Sequence, residues 1–367
     1  MFDKVYHRIF GSGILTETPK MEKVMSDSSI RSRKDDHIRI NLENNVESGI
    51  QTGLSQYHFI HDALPELDLQ AIDLTQNFFG KKINTPILIS SMTGGTSQAK
   101  LINERLAKTA QKFGLMMGVG SQRAAIENET LSDSFNIRRY APDIILFANL
   151  GAVQLNYGYG IDQVRKAVDM INADALILHL NPLQEAIQPN GDTNFSGLLN
   201  KIEKICQLLK KPVIVKEVGW GISVETARSL INVGVQAIDI AGAGGTSWSQ
   251  VERFRLENPL DILVAESFKN WGISTVDSLL SIRSTFPDFP LIASGGLKTG
   301  MDLAKTLALG ANIAGLAGVF LKAAVDSEQT IQDLVTAYLR ILKISMFVTG
   351  SNNLETFRKG KIQLIRG

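Results

Sequence analysis

Residues able to bind and protonate an oxygen-rich ligand gather within a few positions in ALILHLNPLQEAIQPNGD, residues 175–192. With the two-residue period of a strand, Ala175, Ile177, His179 and Asn181 share one face, and Leu176, Leu178 and Leu180 share the other. Pro182 lacks a ladder donor and stops the strand, so Gln184, Glu185 and Gln188 are expected on a loop at its carboxyl end. A neutral imidazole, amides and a carboxylate suit a metal-assisted anion site. The structural alternative is a strand-end histidine bonded to its neighbours.

These residues need a scaffold, and the chain from Thr85 onward supplies a regular one. Short apolar runs at residues 86–91, 115–119, 143–149, 175–181, 212–217, 236–241, 290–294 and 312–317 alternate with helical segments. One such segment is LINERLAKTAQKFG, stopped by Gly114. Strands separated by crossover helices form a parallel sheet, and eight of them predict an α/β fold closed into a (β/α)8 TIM barrel. An open doubly wound sheet is disfavoured because no Gly-x-Gly-x-x-Gly follows the first strand. The gap from Gly242 to Phe289 exceeds one helix, and its GTSWSQVERFRLENPL portion is expected to be a lid or active-site loop before a helix near 275–284.

The carboxyl ends of barrel strands form the working face. The polar residues expected there are Ser91, Met92 and Thr93 after the first strand, Ser121, Gln122 and Arg123 after the second, and Asn149 at the third. His179, Asn181, Gln184 and Glu185 follow the fourth, Lys216 ends the fifth, and Thr246 follows the sixth. Gly295, Gly296, Leu297 and Lys298 follow the seventh, with Ala317 and Gly318 after the eighth. The glycine turns leave backbone N–H groups open to a phosphate near helix starts. Lys216, carried on a strand, needs an anionic partner, either a reduced flavin or a buried carboxylate such as Glu217 or Asp239.

Composition narrows the class. Charged residues make up 20% and the formal charge is +1, without long basic runs, so a nucleic-acid surface is disfavoured. Cys206 is the single cysteine, which excludes an intrachain disulfide and fits a reducing cytoplasm. It falls in a helical pattern and is expected in the core. No apolar run reaches the ~18 residues of a membrane span. Residues 1–24 are read as an extension of unknown role, since Met25 would serve as a start in its own right. Residues 25–84 form a separate segment with a mixed-charge run at 31–37 and an amphipathic stretch around 64–74, expected to pack across the barrel end.

With these residues assembled, the chain resembles the type 2 isopentenyl diphosphate isomerases, FMN enzymes built on such a barrel. The resemblance spans about Arg31 to the C-terminus and rests on RKDDH (33–37), SSMTGG (90–95), GSQR (120–123), ANLGA (148–152), HLNPLQEAIQPNGD (179–192), VKEVGWG (215–221), DIAGAGGTSW (239–248), ASGGLK (293–298) and LAG (316–318). It implies FMN contacts at Ser91, Met92, Thr93, Ser121, Asn149, Lys216, Thr246, Gly295, Gly296, Leu297, Lys298, Ala317 and Gly318. Substrate contacts are implied at Arg33, Lys34, His37, Ser121, Gln122, Arg123, His179, Asn181 and Gln184, with Glu185 as the Mg2+ ligand. Residues 25–84 would cap the substrate and 85–367 would form the FMN-binding barrel.

The implied reaction exchanges isopentenyl and dimethylallyl diphosphate, isoprenoid precursors, by a 1,3-allylic shift. Reduced FMN acts as acid and base, NADPH as its reductant, and His179, Gln184 and Lys216 as catalytic residues. A cytoplasmic homo-octamer is also implied. Ala241 departs from a serine common in the family, and Lys298 from an arginine. An FMN-dependent α-hydroxy-acid oxidoreductase would need a histidine base and an arginine clamp where this chain has Gly242–Thr246. An inosine monophosphate dehydrogenase would need a nucleophilic loop cysteine. A non-catalytic flavin barrel has no use for Gln184 and Glu185 beside the cofactor.

Overall fold

The computed structural model describes residues 27–365. Eight short parallel strands close on themselves: β1 Ile87–Ile89, β2 Met116–Gly118, β3 Leu146–Gly151, β4 Ala175–Leu180, β5 Val213–Glu217, β6 Ala237–Asp239, β7 Leu291–Ala293 and β8 Ile313–Leu316. Each lies within or beside an apolar run expected to be a strand. These runs are apolar on both faces because a barrel strand is buried on both. Leu88, Met116, Phe147, Ala175, Ile177, Ile214, Ala237, Ile292 and Ile313 pack together inside the barrel. The next strand residue gives the opposite face, so Leu176 and Leu178 pack outward against the helices.

A hairpin, Gln76–Phe78 paired with Lys81–Ile83, inserts Phe78 and Ile83 into the interior cluster. It plugs the amino end and leaves the carboxyl end for chemistry. The helix Ser97–Phe113 begins at Thr96, whose hydroxyl accepts from Ala99 N, and ends at Gly114 with φ 65°. Gly114 thus supplies the left-handed stop that its position predicts.

The helix Asp27–Glu43 lies over the carboxyl mouth, where Ile40 and Val46 pack with Val251 and Trp248. The strap after it pairs with the β6 loop, Ser48 N donating to Gly245 O at 2.7 Å and Ser247 N to Val46 O at 2.8 Å. Beyond it, only Leu69–Ala71 makes a helical turn in the 64–74 stretch; Ile72 and Leu74 are buried while Leu64 is exposed.

Two local expectations are corrected. Pro182 does not open a loop: it occupies the first turn of the helix Pro182–Ile187, where its missing N–H costs nothing. The 245–260 stretch expected as a lid or active-site loop holds the helix Trp248–Arg253 and the start of the helix Pro259–Ser267, the second again started by a proline with an Asn258 cap. The gap from 242 to 289 thus carries two helices before the one expected near 275–284, which is Thr275–Thr285. Cys206 is half-buried at the edge of the core. No helix among the described residues is long and apolar enough to cross a membrane. The reading of residues 1–24 lies outside the described residues.

Candidate active site

A cavity of about 820 Å3 opens at the carboxyl ends of the strands, under the helix Asp27–Glu43. Strand register brings its floor together. His179 pairs with Lys216 across β4 and β5, and Lys216 with Asp239 across β5 and β6. Residues far apart in the chain therefore stand side by side.

His179 Nδ1 lies 2.8 Å from Asn149 Oδ1, and the Asn149 amide is oriented by its own donation to Val119 O at 3.1 Å. Nδ1 is therefore the protonated nitrogen, and Nε2 keeps a lone pair. Burial, then the nearby Lys216 charge, pushes the imidazole down to about 4, so it is neutral at pH 7. Lys216 Nζ stands 3.0 Å from Asp239 Oδ2 and donates to Ser294 Oγ at 3.1 Å. Of the carboxylates suggested by sequence, Asp239 takes the lysine. Glu217 instead accepts from Val218 N and Gly219 N at 2.7 Å and from Trp220 N. Burial outweighs those bonds and pushes it up to about 7.

A second network joins the cap to the barrel. Glu252 Oε1 accepts from Gln184 Nε2 at 3.0 Å and meets His37 Nε2 at 3.1 Å, while Arg255 donates to Oε2. Burial raises the Glu252 carboxyl, but His37, Gln184 and Arg255 prevail and hold it at about 2. His37 also meets Trp248 edge-on at 5.0 Å. Glu185 accepts from Asn181 Nδ2 at 2.8 Å, from Asp192 N at 2.7 Å and from Gln188. Arg123 reaches Asp192 at 2.7 Å and Glu127 at 2.8 Å; Gln154 also donates to Asp192 at 3.0 Å.

Lys34 donates to Ser121 O at 3.2 Å, Thr246 to Asn41 Oδ1 at 3.1 Å, and Lys298 pairs with Glu47. Gly295 and Gly296 have φ 107° and 71°, and a Cβ there would fall 2.1 Å from Gly242 O and 2.3 Å from Gly244 O. Glycine is thus required for backbone packing as well as for openness. Ala241 adopts φ 36°, a left-handed conformation strained for alanine, in the turn held by its N–H on Asp239 and its carbonyl on Gly221 N.

The structure brings Lys34, His37, Ser91, Met92, Thr93, Ser121, Arg123, Asn149, His179, Asn181, Gln184, Glu185, Lys216, Thr246, Gly295, Gly296, Leu297, Lys298, Ala317 and Gly318 onto the cavity wall. Gln122 stands behind it, donating to Ala167 O at 2.8 Å and accepting from Asn149 N at 3.0 Å. The Arg33 side chain lies outside the described residues. Gln154, Lys322 and Trp248 also line the cavity and Glu252 stands behind it, none of them singled out by sequence.

A large polar ligand fits this wall. Ser90, Ser91, Gln154 and Asn181 line it, and each has a buried oxygen without a hydrogen-bond partner. The helix Gly318–Asp326 points its uncapped first turn there, with open space beside Gly318. That end suits a phosphate, and Lys216 suits a ring that carries negative charge.

The fold and site define a class. A family model for FMN-dependent dehydrogenases matches residues 170–364. The fold is that of a mandelate oxidase (TM-score 0.63, 17% identity, covering 92% of this chain and 99% of that one) and of an (S)-mandelate dehydrogenase (0.64, 17%, 93% and 100%). Among curated proteins, isopentenyl-diphosphate delta-isomerases of Nostoc sp. and Rickettsia bellii are 54% and 51% identical, covering 93% and 90% of this chain and 98% and 97% of theirs. The chain belongs to the isopentenyl-diphosphate delta-isomerases, and its FMN-dehydrogenase barrel puts it in the type 2 group.

Proposed function

We propose that the cavity shifts the double bond of isopentenyl diphosphate with FMN and Mg2+ bound, NADPH supplying the reducing equivalents. The observation that carries this reading is the convergence of neutral His179, Lys216, Gln184 and Glu185 on one cavity whose far wall is a glycine-lined helix start. Ser91, Met92, Thr93, Ser121, Asn149 and Lys216 would hold the flavin ring. Thr246, Gly295, Gly296, Leu297, Lys298, Ala317 and Gly318 would hold its ribityl phosphate. Reduced FMN supplies the acid and base for an unactivated allylic carbon, which no ordinary side chain deprotonates at pH 7.

The side chains do the rest. Arg33, Lys34, His37 and Arg123 offer cationic or hydrogen-bonding partners to the diphosphate, and Asn181 and Gln184 orient it. Glu185 would hold Mg2+; no group of three or more His, Cys, Asp or Glu is placed for a metal among the described residues, but Mg2+ bound with substrate phosphates needs only one or two carboxylates. His179 presents Nε2 as an acceptor held by Asn149, and Gln184 is held by Glu252. The helix Asp27–Glu43 excludes water by covering the mouth.

A cytoplasmic homo-oligomer, an octamer by resemblance, completes the reading. Exposed Phe254, Leu260, Leu263, Val264 and Trp271 give it apolar surface to cover. The test compares isomerisation by the FMN-loaded protein before and after anaerobic reduction, with and without a Mg2+ chelator. Activity only when reduced and metal-supplied is expected. Equal activity of oxidised protein would remove the flavin role, and insensitivity to chelation the metal role.

A further inference from the structure

Lys216 reaches the cavity with its charge already opposed. Its Nζ stands 3.0 Å from Asp239 Oδ2, and Ser294 Oγ accepts from Nζ at 3.1 Å while donating to Asp239 Oδ1 at 2.7 Å. Asp239 is fully buried, on the strand next to Lys216 and at the same register level. It is absent from the cavity wall, whereas Lys216 and Ser294 are part of it. A buried carboxylate is costly to desolvate, and an apolar residue would fill a barrel floor at lower cost. What Asp239 does that such a residue cannot is fix the direction of the ammonium and oppose its field, since a close ion pair acts on a third group more weakly than a lone cation.

We propose that Asp239 is a positioning residue that aims Lys216 and attenuates its charge, so that the Lys216–Asp239–Ser294 triad, rather than Lys216 alone, sets the reduction potential of the bound flavin. The inference rests on the FMN reading above. Reduction adds two electrons and one proton to the ring and leaves it anionic, so every increment of uncompensated positive charge beside it favours the reduced form. Asp239 holds that increment down. The ring then stays a proton donor and acceptor of balanced strength instead of an over-stabilised anion.

The experiment is anaerobic spectroelectrochemistry of the FMN-loaded wild type, Asp239→Asn, Lys216→Gln and the double variant, equilibrated with indicator dyes. Asp239→Asn is expected to raise the reduction equilibrium constant at least tenfold, about 30 mV for a two-electron couple. Lys216→Gln is expected to lower it, and the Asp239→Asn effect should vanish in the Lys216→Gln background, because Asp239 acts only through the lysine. An FMN-loaded Asp239→Asn protein with wild-type potential overturns the proposal. So does a shift that persists without Lys216. Asp239→Ser removes the charge while keeping a short polar side chain, and is measured beside Asp239→Asn. If neither holds FMN, Asp239 is a structural support and the proposal falls. A wild type that refuses FMN overturns the cofactor reading itself, a separate outcome seen before any potential is measured.

Discussion

Replacing Glu252 by glutamine keeps the shape of the carboxylate and removes its charge. At this fully buried position the acid is held at about 2 rather than its ordinary 4.5, which corresponds to about 3 kcal/mol at about 1.4 kcal/mol per tenfold step in acidity. The glutamine oxygen can still accept from Gln184 and His37, but its NH2 would face the Arg255 guanidinium, donor against donor. Glu252→Gln should therefore lose about 3 kcal/mol of stability at pH 7, in the range for breaking a buried pair. Urea unfolding followed by far-UV circular dichroism reads this as a lower midpoint at unchanged slope. The sign with pH follows from a folded-state acidity below the unfolded one. The contribution is complete above pH 4.5 and is lost as pH falls toward 2, so wild type should show a slope there that the variant lacks. Because His37 belongs to the cap, KM for the diphosphate should rise while FMN binding holds. Stability within ~0.5 kcal/mol of wild type, with the same acid slope, would mean that the Glu252 charge does not support the fold.

His179, held at about 4 against an ordinary 6.5, should cost stability as pH falls from 6.5 to 4, because the unfolded chain takes a proton that the folded one refuses; His179→Asn should flatten that slope, and NMR titration of the imidazole reads the group directly. Gly318→Ala should fold normally, since an added Cβ meets no atom within 4 Å, yet lose FMN affinity in a fluorescence titration because that Cβ enters the space open beside the helix start. Gly296→Ala should instead lower the melting temperature, because its Cβ meets Gly244 O at 2.3 Å and its φ is 71°. Glu185→Gln should lose most Mg2+-dependent activity and need more Mg2+ for what remains, and retention of full Mg2+-dependent turnover would remove Glu185 as the ligand.

The barrel was legible because its strands are short, apolar on both faces and evenly spaced, a pattern few other folds impose. The alternation around His179 also fixed which residues face inward, as Ala175 and Ile177 inside and Leu176 and Leu178 outside demonstrate. Pro182 misled because the feature that ends a strand also begins a helix, and only the following residues' packing decides which. Glu252 was illegible for a different reason. Its partners His37 and Gln184 lie 215 and 68 residues away, and nothing local to GTSWSQVERF distinguishes a buried acid from a solvated one. Asp239 was visible as one of two possible partners for Lys216. The register between neighbouring strands, which sequence does not carry, chose it over Glu217. Gln122 lay in a motif full of ligand-facing neighbours, but its side chain turns back to hold Asn149.

A double bond moved by proton exchange in this cavity involves no net oxidation. Proton and deuterium NMR of isopentenyl diphosphate, incubated anaerobically in deuterated buffer with the FMN-loaded protein, Mg2+ and dithionite, tests it most directly. Dimethylallyl diphosphate carrying deuterium, formed only when the flavin is reduced, is the predicted result. Unchanged substrate beside a fully reduced, FMN-bound protein would exclude the isomerisation.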